Sequence, residues 1–251
     1  KMPINIFGDH LSLDMTFVSI PENNLKNIKE IFGKSDLKID RVISKPFAEN
    51  INLLNLNKNL KNFISINFGN ELTTISLCQN SSLVFFKTFP FGLNSIYNDI
   101  KQLCSLNKNE ITAVLENLQD NQSGYIDKKF FVSSNYKKLS INHFMEIINA
   151  RIKEILNFTF NNNKNLDYYE KRIEKINLFF EDPCIYKNLG HLFKEYLNLN
   201  DNIIEAEYLS RDDIGTLYGA AELLFNGWPN EAIPFSNRKK SIISGFFERF
   251  F

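Results

Sequence analysis

The C-terminal residues 238–251 combine cationic and apolar side chains in a spacing that suits binding to a membrane surface. Arg238, Lys239 and Lys240 form a basic cluster at the start of this segment. The apolar residues that follow recur with the period of an α-helix and share one face; they are Ile242, Ile243, Phe246, Phe247, Phe250 and Phe251. An apolar face with cationic flanks, here extended by Arg249, is typical of a helix that lies in the membrane interface.

Two interpretations of this segment stay open on its own residues. It is too short to cross a bilayer, which takes about 20 apolar residues. A terminal amphipathic helix can bind a membrane surface, or it can pack on the core of its own domain. Residues 226–237 precede it with a glycine and two prolines, which break regular structure and predict a flexible linker. The linker favours the membrane interpretation.

Charge balance and cysteine content exclude several function classes. The 29 basic and 29 acidic side chains cancel, so no strong field attracts nucleic acid. The three cysteines lack the spacing of a metal site, which predicts no metal and a reducing, cytoplasmic compartment. They are Cys78, Cys104 and Cys184. Because Lys1 leads directly into a strand-like run, we expect the chain to be the C-terminal part of a longer protein.

Apolar periodicity predicts a mixed α/β architecture with strand meanders followed by helices. The predicted strands are 10–21, 37–44, 63–66, 73–78, 82–89, the region 129–133, 175–180 and 202–208. The predicted helices are 24–32, 46–54, 94–105, 109–118, 141–157, 185–197 and 214–225. The asparagine-rich run 161–165 is predicted to be a loop.

Several runs resemble motifs of the FtsA family of actin-like bacterial cell-division proteins. The runs are Phe7-Gly8 with 11–15 (family "FG..L.VDMHV"), 90–92 with 98–100 ("P.GG..IT.DIA"), 146–151 with 154–155 ("VI.ARVEEI"), and Ala220, Leu223, Leu224 and Gly227 ("TAVGLLLYG"). The linker and the amphipathic tail also resemble the end of this family. The resemblance implies a partial actin-like ATPase (ribonuclease H-like) fold with an inserted subdomain and a C-terminal amphipathic helix.

The same resemblance divides the chain into segments. They are 1–21, the end of a small inserted domain; 22–57, a returning part of the first actin-like lobe; 58–106 and 173–225, the second lobe; 107–172, a partner-binding subdomain; 226–237, the linker; and 238–251, the membrane-targeting helix.

The expected nucleotide site departs from the family pattern. Actin-like proteins hold phosphates on a glycine-rich hairpin, where backbone amides approach the anion. The corresponding run here is 67–73, in which Gly69 and Thr73 survive. Asn67 is neutral where magnesium prefers a carboxylate, while Asn70 and the acidic Glu71 replace small residues.

The adenosine side of this site is also altered. The run 178–183 contains Glu181 and no glycine, and Phe179 and Phe180 are expected to crowd a nucleotide. Glu110 matches the acidic residue that contacts the ribose in this superfamily, but Ala113 stands where a lysine is expected. We therefore expect binding of ATP and magnesium to be impaired, and ATP hydrolysis to be absent.

The resemblance implies an adaptor that attaches FtsZ to the cytoplasmic face of the inner membrane at the division site. The subdomain 107–172, where Arg151 matches a family arginine, is expected to receive the C-terminal peptide of FtsZ. Self-association into filaments and contacts with other division proteins are implied as well. The alternatives are another actin-like scaffold, similar to the pilus-assembly protein PilM, and an active actin-like ATPase.

Overall fold

A computed structural model describes residues 9–10, 15–39, 41–118, 124–167, 173–197, 203–209 and 214–228. The predicted membrane-targeting helix 238–251 and most of the linker lie outside the described residues. The predicted segment 1–21 is described only in part, from residue 15 onward and at residues 9–10.

The described residues form a mixed α/β fold, which confirms the predicted fold class. The strands are β1 (Phe63–Phe68), β2 (Thr73–Gln79), β3 (Ser82–Phe89), β4 (Lys175–Phe180) and β5 (Ile204–Tyr208). The helices are α1 (Glu22–Gly33), α2 (Lys45–Leu56), α3 (Asn94–Cys104), α4 (Lys108–Glu116), α5 (Ile141–Leu156), α6 (Lys164–Asp167), α7 (Pro183–Leu197) and α8 (Gly215–Phe225). A 3₁₀ turn spans Lys128–Phe130 and a π-helical turn spans Asn157–Asn161.

The strands form one sheet in the order β3-β2-β1-β4-β5. The central strand β1 pairs antiparallel with β2 and parallel with β4. All six residues of β1 are buried, as expected for a strand with both faces covered. On one face, alternate residues of β1 join a large hydrophobic cluster with α3, α4, α5 and α7. The predicted subdomain 107–172 therefore shares its core with the sheet.

The opposite face of the sheet is covered by the pair α2 and α8. Their cluster contains Ile51 and Leu54 of α2 and Leu223 of α8, packed on Phe63 of β1. The two helices cross closely at Gly219, where a Cβ atom would lie 1.9 Å from the carbonyl oxygen of Ala48. Only glycine allows this approach, so the residue at 219 sets how α8 sits on α2.

Three predicted strands are wrong in the described residues. The predicted strands 10–21 and 37–44 have no regular structure where they are described, at 15–20, 37–39 and 41–44. A strand needs a neighbour that pairs with its backbone, and none of these segments joins the sheet. The region 129–133 holds the 3₁₀ turn in place of a strand. The loop predicted over 161–165 is shorter than expected, since α6 begins at Lys164. The remaining predicted elements are present with small shifts at their ends.

No helix among the described residues is both long enough and apolar enough to cross a membrane.

We predict that Gly219→Ala destabilises the chain by about 1–3 kcal/mol, because the added methyl overpacks the contact with the Ala48 carbonyl. Urea denaturation followed by circular dichroism measures the change. Gly33→Ala is the matched control: it lies at the end of α1, where a Cβ would meet nothing within 4 Å. Equal stability of the two variants would show that the α2–α8 crossing tolerates a wider spacing.

Candidate functional site

The candidate site is the turn between β1 and β2, residues 69–72, which we call the β1–β2 turn. It sits against the start of α3: the amide of Leu93 donates to the Gly69 carbonyl and the amide of Asn94 donates to the Asn70 carbonyl, both at 2.9 Å. A Cβ on Gly92 would lie 2.3 Å from the Gly69 oxygen. Gly92 therefore allows the turn to pack closely on the segment that begins α3.

The first two amides of the β1–β2 turn already have partners within the chain. The Gly69 amide donates to the carbonyl of Leu72 at 2.9 Å, and the Asn70 amide donates to Oε2 of Glu181 at 3.3 Å. A Cβ on Gly69 would lie 3.1 Å from that same carboxylate oxygen. An acidic side chain of this chain thus lies where the resemblance places the negatively charged phosphate of a ligand.

Glu49 supplies a second carboxylate beside that of Glu181, and Lys45 pairs with both. Lys45 at the start of α2 is 3.5 Å from Oε1 of Glu49 and 3.8 Å from Oε1 of Glu181. Asn67 and Thr216 both donate to Glu49 Oε1 at 3.4 Å. Burial raises the pKa of Glu49, although Lys45 acts against that shift. Two carboxylates around one ammonium make this region unfavourable for a phosphate anion.

Thr73, the last residue of the run 67–73 that was predicted to form the phosphate hairpin, is fully buried at the start of β2. Its hydroxyl donates to the carbonyl of Phe91 at 2.9 Å. The side chain therefore fixes the chain between β3 and α3 and does not point to solvent.

Phe180, the last residue of β4, does not lie where the sequence predicted it. Phe180 does not crowd the candidate site, because its ring is buried between Phe68 and Phe193 at centroid distances of 5.1 and 5.0 Å. The alternation of side chains along β4 turns this residue to the core. Asp182 follows, accepting a hydrogen bond from the Ile185 amide at 2.9 Å and from the Tyr97 hydroxyl at 3.2 Å. This joins the start of α7 to α3.

The Glu110 carboxylate is held in a buried hydrogen-bond cluster at the start of α4. It forms a capping box with Asn107 at the start of α4 and is 2% exposed. Its Oε1 accepts from the amides of Ser133 and Ser134 at 2.8 and 3.0 Å, and its Oε2 accepts from the Ser134 hydroxyl and the Asn107 amide. Both oxygens are occupied by protein donors, which leaves no free position for a ribose hydroxyl.

These bonds determine the charge state of Glu110. Burial acts to raise its pKa, but the hydrogen bonds from the Ser134 hydroxyl and from the amides of Asn107, Ser133 and Ser134 outweigh it. They hold the pKa at about 2. The carboxylate is therefore ionised at neutral pH and acts as a fixed anchor for the segment that contains both serines.

Arg151, the predicted partner contact, makes its bonds within the chain. Its guanidinium donates to both oxygens of Asp99 at 2.5 and 2.8 Å, and also pairs with Glu154. A bidentate pair of this kind fixes geometry as well as charge. The arginine joins α5 to α3.

No family model matches the chain. Over 98 residues, 39% of this chain, it is 24% identical to the cell division protein FtsA of Agrobacterium fabrum. FtsA of Rhizobium radiobacter matches to the same extent. The matched region covers only 22% of the length of each of these curated relatives.

Among solved structures, the ethanolamine utilization protein EutJ from Carboxydothermus hydrogenoformans aligns with a TM-score of 0.51. The alignment has 11% identity and covers 80% of this chain and 61% of that one. The archaeal actin homologue Ta0583 aligns with a TM-score of 0.42 at 12% identity, over 72% and 54% of the two chains. The fold is the actin-like ATPase fold. In sequence the chain is similar to FtsA over the matched 98 residues, at a divergent level of identity. The actin-like fold and the similarity to FtsA support an actin-like scaffold.

The structure brings Gly69, Asn70 and Glu181 together, and Asn67 joins them through Glu49 and Lys45. Glu110 makes its hydrogen bonds with Asn107, Ser133 and Ser134 instead. Lys45 and Glu49 were missed, although their spacing of four residues at a helix start is a recognisable ion-pair pattern. The anchoring role of Ser133 and Ser134 was also missed.

We predict that Glu110→Gln lowers stability at pH 7 by about 1–3 kcal/mol, because it weakens several hydrogen bonds to a buried carboxylate. The depressed pKa means that this stabilisation is complete above pH 4.5 and is lost as the pH falls towards 2. Urea denaturation at pH 7 and pH 3 should therefore show a gap between wild type and variant that narrows at the lower pH.

The control for that experiment is Glu116→Gln, an exposed change near the end of the same helix. It should alter stability by less than about 0.5 kcal/mol. A Glu110→Gln variant as stable as this control at pH 7 would contradict the assignment of Glu110 as an anchor.

Proposed function

We propose that this FtsA-like chain is a cell-division adaptor that links FtsZ filaments to the cytoplasmic face of the inner membrane and does not hydrolyse ATP. The observation that carries the proposal is the match to curated FtsA proteins in a chain with an actin-like fold. The relatives' names give the cell-division context. The amphipathic residues 238–251 supply the membrane part of the proposal from the sequence.

The state of the β1–β2 turn supports an adaptor over an active ATPase. Phosphate recognition by such a turn needs backbone amides that are free to point at the anion. Here the Asn70 amide donates to Glu181, and Glu49 adds a second carboxylate nearby. ATP with magnesium would have to displace these contacts, so we propose that nucleotide binding is weak or lost.

The membrane attachment in this proposal is reversible for a single chain. Each buried Phe or Ile side chain contributes about 1.5–3 kcal/mol at most, before the cost of ordering the helix. One short amphipathic helix therefore anchors modestly. Actin-like relatives suggest self-association into filaments, and a row of such helices along one filament would bind far more tightly than one.

We predict that replacing Phe246 and Phe250 with Glu releases the protein from vesicles that contain anionic lipid, because both residues lie on the apolar face. Co-sedimentation with phosphatidylglycerol-containing liposomes measures the effect, and purified FtsZ added to the same samples should sediment with the wild-type chain and not with this variant.

The matched control is Ser241→Glu with Ser244→Glu, which adds the same charge on the polar side of the predicted helix. This control should keep most of the binding. Equal sedimentation of all three proteins would rule out the tail as the membrane anchor, and wild-type protein that binds vesicles without recruiting FtsZ would rule out the adaptor role.

A second prediction concerns the nucleotide. Millimolar ATP with magnesium should leave the thermal unfolding midpoint unchanged, whereas a micromolar binder at 1,000 times its Kd would gain about 4 kcal/mol of stability. Differential scanning fluorimetry measures the midpoint, with magnesium alone as the reference. A magnesium-dependent rise with ATP would favour the active-ATPase alternative instead.

A further inference from the structure

Strand β5 forms one edge of the sheet, and in the part of the chain that the structure describes it pairs only with β4. The Leu209 amide donates to the Phe180 carbonyl at 2.8 Å, so the backbone at 209 is turned to β4. Successive residues of a strand turn their backbone groups to alternate sides. The amides of Ile204, Ala206 and Tyr208 therefore face away from β4, where they offer a template for a further strand.

The side chains of β5 differ between the two faces of the sheet. Glu205 and Glu207 are exposed on one face. On the other face Ile204 is buried in the main hydrophobic cluster, and the ring of Tyr208 is stacked on that of Tyr186 of α7 at a centroid distance of 6.3 Å. This edge of the sheet is therefore acidic on one face and apolar on the other.

A groove of about 360 Å³ lies along β5. It is lined by residues 204–207 together with Asn177, Phe179 and Lys194. Because successive side chains of a strand point to opposite faces, a groove lined by consecutive residues runs beside the strand and not over one face. The groove therefore leaves room for an extended chain next to the free backbone groups of β5.

We propose that β5 binds an extended peptide segment of a partner protein by strand addition, with basic and apolar side chains alternating along the segment. Backbone hydrogen bonds provide affinity in this mode of recognition, and the alternate side chains provide specificity. The basic side chains lie beside Glu205 and Glu207, and the apolar ones continue the surface of Ile204 and Tyr208. Glu205 also pairs with Lys175 at 2.5 Å, so the net negative charge of this face rests mainly on Glu207.

Other occupants fit this edge less well. Pairing β5 with the β5 of a second copy would set glutamates against glutamates, which is destabilising. A uniformly basic segment would meet the ammonium of Lys194, which lines the same groove. The inference is independent of the adaptor role, because it uses neither residues 107–172 nor residues 238–251.

The test is fluorescence polarisation with a fluorescein-labelled peptide in which lysine and valine alternate. The full chain should bind this peptide, and the same peptide with glutamate in place of lysine should not bind. A lysine–valine peptide with N-methylated backbone amides keeps the charge but loses the donors of a strand ladder. Its affinity should be lower by at least about tenfold.

Two variants of β5 test the same contact from the side of the protein. Ala206→Pro removes an amide that faces away from β4, and proline is tolerated at the edge of a sheet. Glu207→Lys reverses the main charge of the acidic face. Each variant should weaken peptide binding at least about tenfold. Glu30→Lys makes the same charge change on the exposed helix α1 and should leave binding unchanged.

Circular dichroism checks that each variant is folded, and Glu207→Lys still tests the inference if Ala206→Pro is not. Absence of binding to the lysine–valine peptide overturns the inference. Equal binding of the N-methylated peptide, or an equal loss in the Glu30→Lys variant, would indicate attraction by general charge and also overturns it. Dimers in analytical ultracentrifugation that Ala206→Pro abolishes, with no peptide binding, would assign the edge to a second copy instead.

Discussion

The pairing of β1 with β4 is the constraint on which the candidate site depends. Because the two strands are parallel, their carboxyl ends meet at one edge of the sheet, with Phe68 beside Phe180. The next residues along each strand are then forced together: the Glu181 amide donates to the Phe68 carbonyl at 3.1 Å. The Glu181 side chain consequently reaches the β1–β2 turn, whatever other role the turn has.

Packing constraints also decide which residues of the β1–β2 turn carry information about a ligand. An added Cβ on Gly69 would lie 2.7 Å from the Leu72 carbonyl oxygen within the turn, and one on Gly92 would lie 2.3 Å from the Gly69 carbonyl oxygen. A glycine in this turn is therefore required by packing and is weak evidence for a bound phosphate. Asn67, Asn70 and Glu71 differ from the family pattern in the same run.

The sequence predicted most of the sheet and the long helices, because burial imposes clear periodicity on them. β1 is an apolar run because both faces are covered, and the helix predicted over 141–157 is present as α5, with Ile148, Ile152 and Ile155 buried. Prediction failed where a single long-range contact decides the structure. The region 129–133 has strand-like residues, but the amide of Ser133 bonds to Glu110, 23 positions away, and no periodicity encodes such a contact.

Glu110 illustrates the same limit for function. By resemblance it matches a ribose contact, whereas in the structure both of its oxygens are bonded, and it joins the start of α4 to the segment that contains Ser133 and Ser134. Arg151 likewise forms its ion pair with Asp99 of the same chain. In both cases a charged group that the resemblance assigns to a ligand or a partner is bonded within the chain and fixes the framework of the fold.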